Sequence, residues 1–141
     1  MRVTIIGSSR FAKEMVDYKK RLADLGHEVN LHEHYHALAK GDMKDVQARM
    51  GVEHAQVKIE NNYHKYHYDE IVNRSDAVLV LNFDKNGILN YVGGNTLMEM
   101  GMAYVHDKKV FLLNPVPEMA YAEEIKSLEP IILMDDLSLI A

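Results

Sequence analysis

The sequence predicts an α/β fold: a five-stranded parallel sheet with helices on both faces. Three observations predict it. Short runs rich in Val, Ile and Leu recur along the chain, as in "RVTIIG" (2–7), "AVLVLN" (77–82) and "KVFLLN" (109–114). The stretches between them carry apolar residues at helical spacing. Strands that alternate with helices in this way form βαβ units, whose right-handed crossovers make the strands parallel and lay helices on the sheet.

The elements follow in order. "RVTIIG" is β-branched, ends in glycine and reads as a buried strand. "FAKEMVDYKKRLADLG" (11–26) sets Phe11, Met15, Leu22 and Leu25 on one helical face, with Gly26 as its stop. "HEVNLH" (27–32) alternates Val29 and Leu31 with polar neighbours as the second strand. Residues 36–74 read as two helices broken near Gly51, ending in "YHYDEIVNRSD", where Tyr68, Ile71 and Val72 face the core and Asp76 is a turn residue. "AVLVLN" is the third strand, 95–107 a helix, "KVFLLN" the fourth strand, "PEMAYAEEIKSL" (117–128) a helix and "PIILM" (130–134) the fifth strand. Five such strands suit the flavodoxin-like (Rossmann-like) order 2-1-3-4-5. No repeat, low-complexity tract or Pro/Gly/Ser-rich linker interrupts them, so residues 1–141 read as a single domain.

Composition narrows the function classes. The chain has no cysteine, which excludes disulfides, thiolate zinc sites and cysteine nucleophiles. Its net charge of −5 argues against a nucleic-acid backbone as the main partner, though a local basic spot leaves room for one charged ligand. Apolar runs such as Ala77 to Leu81 are too short to span a bilayer. Met1 leads straight into a strand, without a basic segment or cleavage site, so a cytoplasmic location is expected.

In open parallel sheets, ligands sit beyond the carboxyl ends of the strands, beside strand 1 where the strand order reverses. That rule selects "GSSRF" (7–11), "NFDKNGILNYVGGN" (82–95) and "NPVPEM" (114–119). The second is long for a βα connection, and long loops in compact domains tend to be functional. Gly7, Ser8, Ser9 and Arg10 offer backbone N–H groups, two hydroxyls and a guanidinium to an anion, or else form a plain turn with a serine cap. The turn is neither GxGxxG nor a Walker loop, so neither a dinucleotide nor ATP hydrolysis is indicated.

Glu99 reads two ways. Thr96-Leu97-Met98-Glu99 spells a capping box, in which the glutamate reaches back to the cap amide. Gly93, Gly94 and Asn95 nevertheless place it at the ligand end of the sheet, where a helix N-terminus would keep a carboxylate ionised for nucleophilic chemistry. Asp69, taken alone, is a solvated helix acid. His32, His34 and His36 alternate as on one strand face, and His64 and His67 lie three apart on a helix. Without an HExxH-like pattern these histidines read as pocket or surface residues, and no metal is expected.

Taken together, "IIGSSRFAKEM…LADLGHEV", "YDEIVNRSDAVLVLN" and "GGNTLMEMGMAYVHDKKVFLL" resemble the nucleoside 2-deoxyribosyltransferase family and its hydrolytic relatives, the 2-deoxynucleoside 5′-monophosphate N-glycosidases. The resemblance runs over nearly the whole chain. It implies that Glu99 is the catalytic glutamate and Asp69 the family's acid. It also implies that Gly7 to Arg10 form the substrate-contacting turn of the monophosphate glycosidases. Asn95 stands at a glycine of the family signature, and Gly93 where transferases often carry an aspartate. The implied protein is a homodimer or higher homo-oligomer without organic cofactor, with Asn114, Pro115 and Met119 placed to complete a neighbouring site and Asn82 at the end of strand 3 in the substrate-binding set.

The implied chemistry is cleavage or transfer at the N-glycosidic bond of a nucleoside or its 5′-monophosphate. Positive charge builds on the anomeric carbon, Glu99 attacks or balances it, and Asp69 orients the sugar or shuttles a proton. Two rivals stand beside this reading. A cytokinin-activating phosphoribohydrolase also combines a Gly-Ser-Ser turn with GGxGTxxE, but the motif here, GGNTxxE, is one residue short. The other rival is a non-catalytic nucleotide-binding module on the same fold.

Overall fold

The stretch Ala77–Leu81 is apolar and buried at every position, the mark of a parallel strand covered on both faces. It is β3, the centre of the sheet. The computed structural model describes residues 1–42, 49 and 52–141. Before β3 come β1 (Arg2–Gly7), a 3-10 turn (Ser9–Phe11), α1 (Ala12–Asp24), β2 (Glu28–Asn30), α2 (Glu33–Ala39), α3 (His54–Glu60) and α4 (Tyr63–Arg74). After it come α5 (Gly94–Val105), β4 (Lys109–Leu112), α6 (Ala122–Ser127), β5 (Ile131–Ile132) and a 3-10 turn (Leu137–Leu139). All pairings are parallel, in the order β2-β1-β3-β4-β5, as the sequence predicts.

Successive strand residues point to opposite faces and so build two cores. Ile5, Leu79, Leu81 and Phe111 pack with Met15, Tyr18 and Leu22 of α1 and Tyr35 of α2. Ile6, Val78, Val80 and Leu112 pack with Ile71 of α4, Met100 and Ala103 of α5 and Ile125 of α6. Helices therefore cover both faces. Asp76 accepts from the Arg2 backbone N–H at 2.8 Å and from its guanidinium at 3.0 Å, so this turn residue also ties down the start of β1.

Four local expectations are corrected. Helix α2 begins at Glu33, because the His32 ring accepts the His34 N–H at 2.8 Å and caps it. His32, His34 and His36 are thus a cap and two helix positions, not one strand face. A second break falls at Asn61-Asn62, where Asn62 takes a left-handed φ of 54° and starts α4; the break near Gly51 lies outside the described residues. Leu25 and Tyr68 are exposed. Leu25 is the residue on which α1 ends, and Tyr18 fills the inner face instead; in α4 the inner face is His67, Glu70 and Ile71, which leaves Tyr68 outside. Finally, α6 starts at Ala122, after a turn in which the Ala122 N–H donates to the Met119 carbonyl at 3.0 Å.

Candidate active site

The end of β1 runs too close to β3 for a side chain. A β-carbon on Gly7 would lie 3.0 Å from the Leu81 carbonyl oxygen, and its φ of +154° is one that other residues rarely adopt. The chain then turns at Ser8, whose hydroxyl accepts the Arg10 N–H at 3.3 Å and the Lys85 ammonium at 2.9 Å. Arg10 itself is exposed, donates to the Asn86 side chain at 3.3 Å, and does not line the cavity described below. The cation on this turn is Lys85.

A tight hairpin places Lys85. Asn86 and Gly87 have φ of 54° and 76°, and Lys85 and Ile88 exchange both backbone N–H···O bonds at 3.0 Å. Such a turn needs two residues at positive φ, and Asn-Gly is its preferred pair. The signal was present in the sequence as "KNGI". Asp84 accepts the Asn90 N–H at 2.9 Å, the Tyr91 N–H donates to the Phe83 carbonyl at 2.9 Å, and Lys85 lies 4.9 Å over the Tyr91 ring.

Gly7, Ser8, Ser9, Lys85 and Tyr91 form one side of a cavity of about 530 Å³. Gly93, Gly94, Asn95 and Thr96 form its base, and His32, His34, Tyr35, Lys58 and Tyr63 rise from α2 to α4 as the opposite wall. It opens at the carboxyl ends of β1 and β3, where the strand-order rule places ligands.

The capping box does not form. Helix α5 starts from Gly93, with no side-chain cap bond, and the Leu97 N–H donates to the Gly93 carbonyl at 2.9 Å. The two glycines let the helix begin earlier than the motif implies, so Thr96 lies within the first turn and Glu99 beyond it. Glu99 is 1% exposed. Its Oε1 accepts from Asn95 Nδ2 at 3.0 Å and from the Tyr63 hydroxyl at 3.3 Å. The Tyr63 hydroxyl in turn meets Tyr35 Oη at 2.8 Å and Asn95 Nδ2 at 3.2 Å. Glu99 does not line the cavity; Asn95 and Tyr63 do, and they are its link to it.

Burial pushes the Glu99 carboxyl up to about 8, against the pull of the Lys58 charge and of its hydrogen bonds. The expectation that the helix end keeps this group ionised is therefore overturned: desolvation outweighs a dipole that fades beyond the first turn. His67 is 1% exposed, with Nδ1 3.8 Å from Glu99 Oε1 and, among the described residues, no hydrogen bond on either ring nitrogen. Burial, aided by the His32 and Lys58 charges, lowers it to about 3, so it is neutral.

Besides Arg10, three expected site residues lie elsewhere. Asp69 is half-exposed on the outer side of α4, where it accepts from Asn73 at 2.7 Å and pairs with Arg74 at 3.2 Å. Asn82 is buried and acts as a clamp: its amide donates to the Asn114 carbonyl at 2.9 Å and the Pro115 carbonyl at 3.1 Å, and accepts the Asn114 N–H at 2.8 Å. Asn114 returns a bond to the Asn82 carbonyl at 3.1 Å, so the pair locks the loops after β3 and β4 together and stays off the cavity wall. Gly7, Ser8, Ser9, Gly93, Gly94 and Asn95 do line it. Sequence reasoning missed Tyr35, Lys58, Tyr63 and Lys85. Among the described residues no His, Cys, Asp and Glu group is arranged to hold a metal ion. No helix described is long and apolar enough to cross a membrane.

No protein-family model, curated protein or solved structure matches the chain.

Proposed function

We propose that this protein cleaves, or transfers at, the N-glycosidic bond of a nucleoside or its 5′-monophosphate, with Glu99, set directly behind the cavity-lining Asn95 and Tyr63, as the carboxylate that acts at the anomeric carbon. One observation carries the reading. A carboxyl buried at the carboxyl end of the sheet is held by Asn95 and Tyr63, both cavity-lining, across from a polar turn bearing Lys85. The Ser8 turn and Lys85 suit a phosphate or sugar hydroxyl, and the ring-rich wall of His32, His34 and Tyr35 suits a planar base.

Ionised Glu99 attacks the anomeric carbon or balances its charge as the bond to the base breaks; water or a second base then takes the sugar. The Tyr63 and Asn95 hydrogen bonds fix which carboxylate oxygen is presented. A group held near 8 is a minority anion at neutral pH, so cleavage rises with pH through that value.

Incubation with a panel of deoxynucleosides, ribonucleosides and their 5′-monophosphates, followed by chromatography for free base, tests the reading. Release of base by the native protein, and its loss by several orders of magnitude in Glu99→Gln, is the expected result. A neutral amide keeps the hydrogen-bond acceptor but can neither attack nor carry charge. Base release undiminished in Glu99→Gln overturns the mechanism. No release from any member of the panel overturns the activity and leaves a binding module.

A further inference from the structure

Breaking an N-glycosidic bond sends the bonding pair to the base nitrogen, and an ordinary base departs slowly as an anion unless a proton reaches it. Asp69 lies outside the cavity. No Asp or Glu is present among the described residues that line it. The wall instead presents Lys58 of α3, which is 8% exposed, lines the cavity, and makes no hydrogen bond or ion pair with any described side chain. Its Nζ sits 3.8 Å over the Tyr63 ring, whose hydroxyl donates to Glu99 at 3.3 Å. Lys58 and Glu99 thus occupy the face and the edge of one tyrosine.

We propose that Lys58 is the general acid that protonates the departing base, and the inference rests on the glycosidic reading above. As the C–N bond breaks, the pair goes to the base, a proton passes to it from Lys58 Nζ, and the Glu99 carboxylate bonds to, or balances, the anomeric carbon. If the carboxylate bonds to the sugar, ammonium and carboxylate are consumed together; if it only balances the charge, it pairs with the sugar cation, so site and sugar together carry no net charge in either case. When water attacks the sugar, any C–O bond to Glu99 breaks and its pair returns to the carboxylate, while the neutral amine takes the water's proton and restores the starting state.

Five of the other cavity groups, Tyr35, Tyr63, His32, His34 and Lys85, are poorer donors. Tyr35 and Tyr63 are shifted upwards by burial, which makes them weaker acids. His32 and His34 are shifted downwards by burial and are neutral, with one His32 nitrogen already committed to the helix cap. Lys85 donates to Ser8. Lys58 is shifted downwards by burial, which makes an ammonium more acidic.

The test compares the best substrate of the panel with its counterpart carrying an activated base, N7-methylated for a purine or 5-fluorinated for a pyrimidine. An activated base needs little or no proton to leave. With the ordinary base, Lys58→Met is expected to lose about a hundred- to ten-thousandfold in kcat. With the activated base the loss should be under about tenfold, and Glu99→Gln should lose both. Lys58→Arg keeps the charge without the acidity and should behave as Lys58→Met; it also provides the measurement if the methionine variant fails to melt cooperatively. Equal losses on both bases, or recovery in Lys58→Arg, would overturn the role of Lys58 while leaving the glycosidic reading intact. A native protein that cleaves neither base overturns that reading, and the role of Lys58 with it.

Discussion

The base of the cavity and its rim hold their ionisable groups by opposite means. At the base, Glu99 meets only an amide and a phenol at hydrogen-bond distance, and burial drives it towards the neutral form. At the rim, Lys85 is half-buried, hydrogen-bonded to Ser8 and set by a two-residue hairpin. The base owes its chemistry to packing between α2, α4 and α5. The rim owes its chemistry to a local turn. A change of charge should therefore be felt at the base as stability, and at the rim as affinity.

The largest effect should come from titrating the base. Glu99 is raised from 4.5 to about 8, so the folded state holds a proton that the unfolded chain releases earlier. Stability is then fully present below about pH 4.5 and is lost as pH rises towards 8, on the order of 5 kcal/mol at the limit of full burial. His67 has the opposite sign: lowered from 6.5 to about 3, it costs stability as pH falls through that window. Glu99→Gln should abolish the alkaline loss and keep the acid one, in urea melts between pH 5 and 9. An unchanged alkaline slope in the variant would mean that Glu99 is not the buried acid.

The same contrast explains what could be read from the sequence. Strands β1, β3 and β4 were legible because their apolar runs are short, continuous and bounded by turns, and alternating strands and helices leave few topologies. Gly7 and Ser8 were legible because turn chemistry is local. Glu99 is visible as a motif with two readings, and the capping alternative falls because the glycines start α5 before Thr96. Tyr35, Tyr63, His67 and Lys58 carry no local pattern; they meet only when α2, α3 and α4 pack, and the left-handed Asn62 that separates α3 from α4 is not a glycine. Lys85 was missed although "KNGI" announced its turn, because Arg10 offered a nearer cation.

At the rim, the difference between those two cations can be measured. If a 5′-phosphate sits on the Ser8 turn, Lys85→Ala should weaken nucleoside monophosphates by roughly ten- to a hundredfold, or about 1.5–3 kcal/mol, without changing free nucleosides. Arg10→Ala, which removes an exposed side chain bonded to Asn86, should change either by less than about threefold. Calorimetry that finds the larger loss in Arg10→Ala would reassign the anion contact to the residue that the sequence favoured.

The smallest effect belongs to Asp69, and it sets the outer limit of the site. Along α4 the buried positions are His67, Glu70 and Ile71, so the helix turns Asp69 away from the packed face that carries Tyr63 and meets Glu99 of α5. Its partners are local. Asn73 donates to it at 2.7 Å, and Arg74 lies 3.2 Å away with side-chain exposures of 67% for the arginine and 49% for the aspartate. Exposed pairs of this kind contribute about 0–1 kcal/mol, because water solvates both partners when they separate. Asp69→Asn should melt within about 0.5 kcal/mol of the native protein and keep its activity within about twofold, since the amide still accepts from Asn73. A family-type acid at this position would instead lose orders of magnitude. Such a loss in Asp69→Asn, with the fold intact by circular dichroism, would mean that α4 rotates or shifts when substrate binds, and that its outer flank belongs to the site.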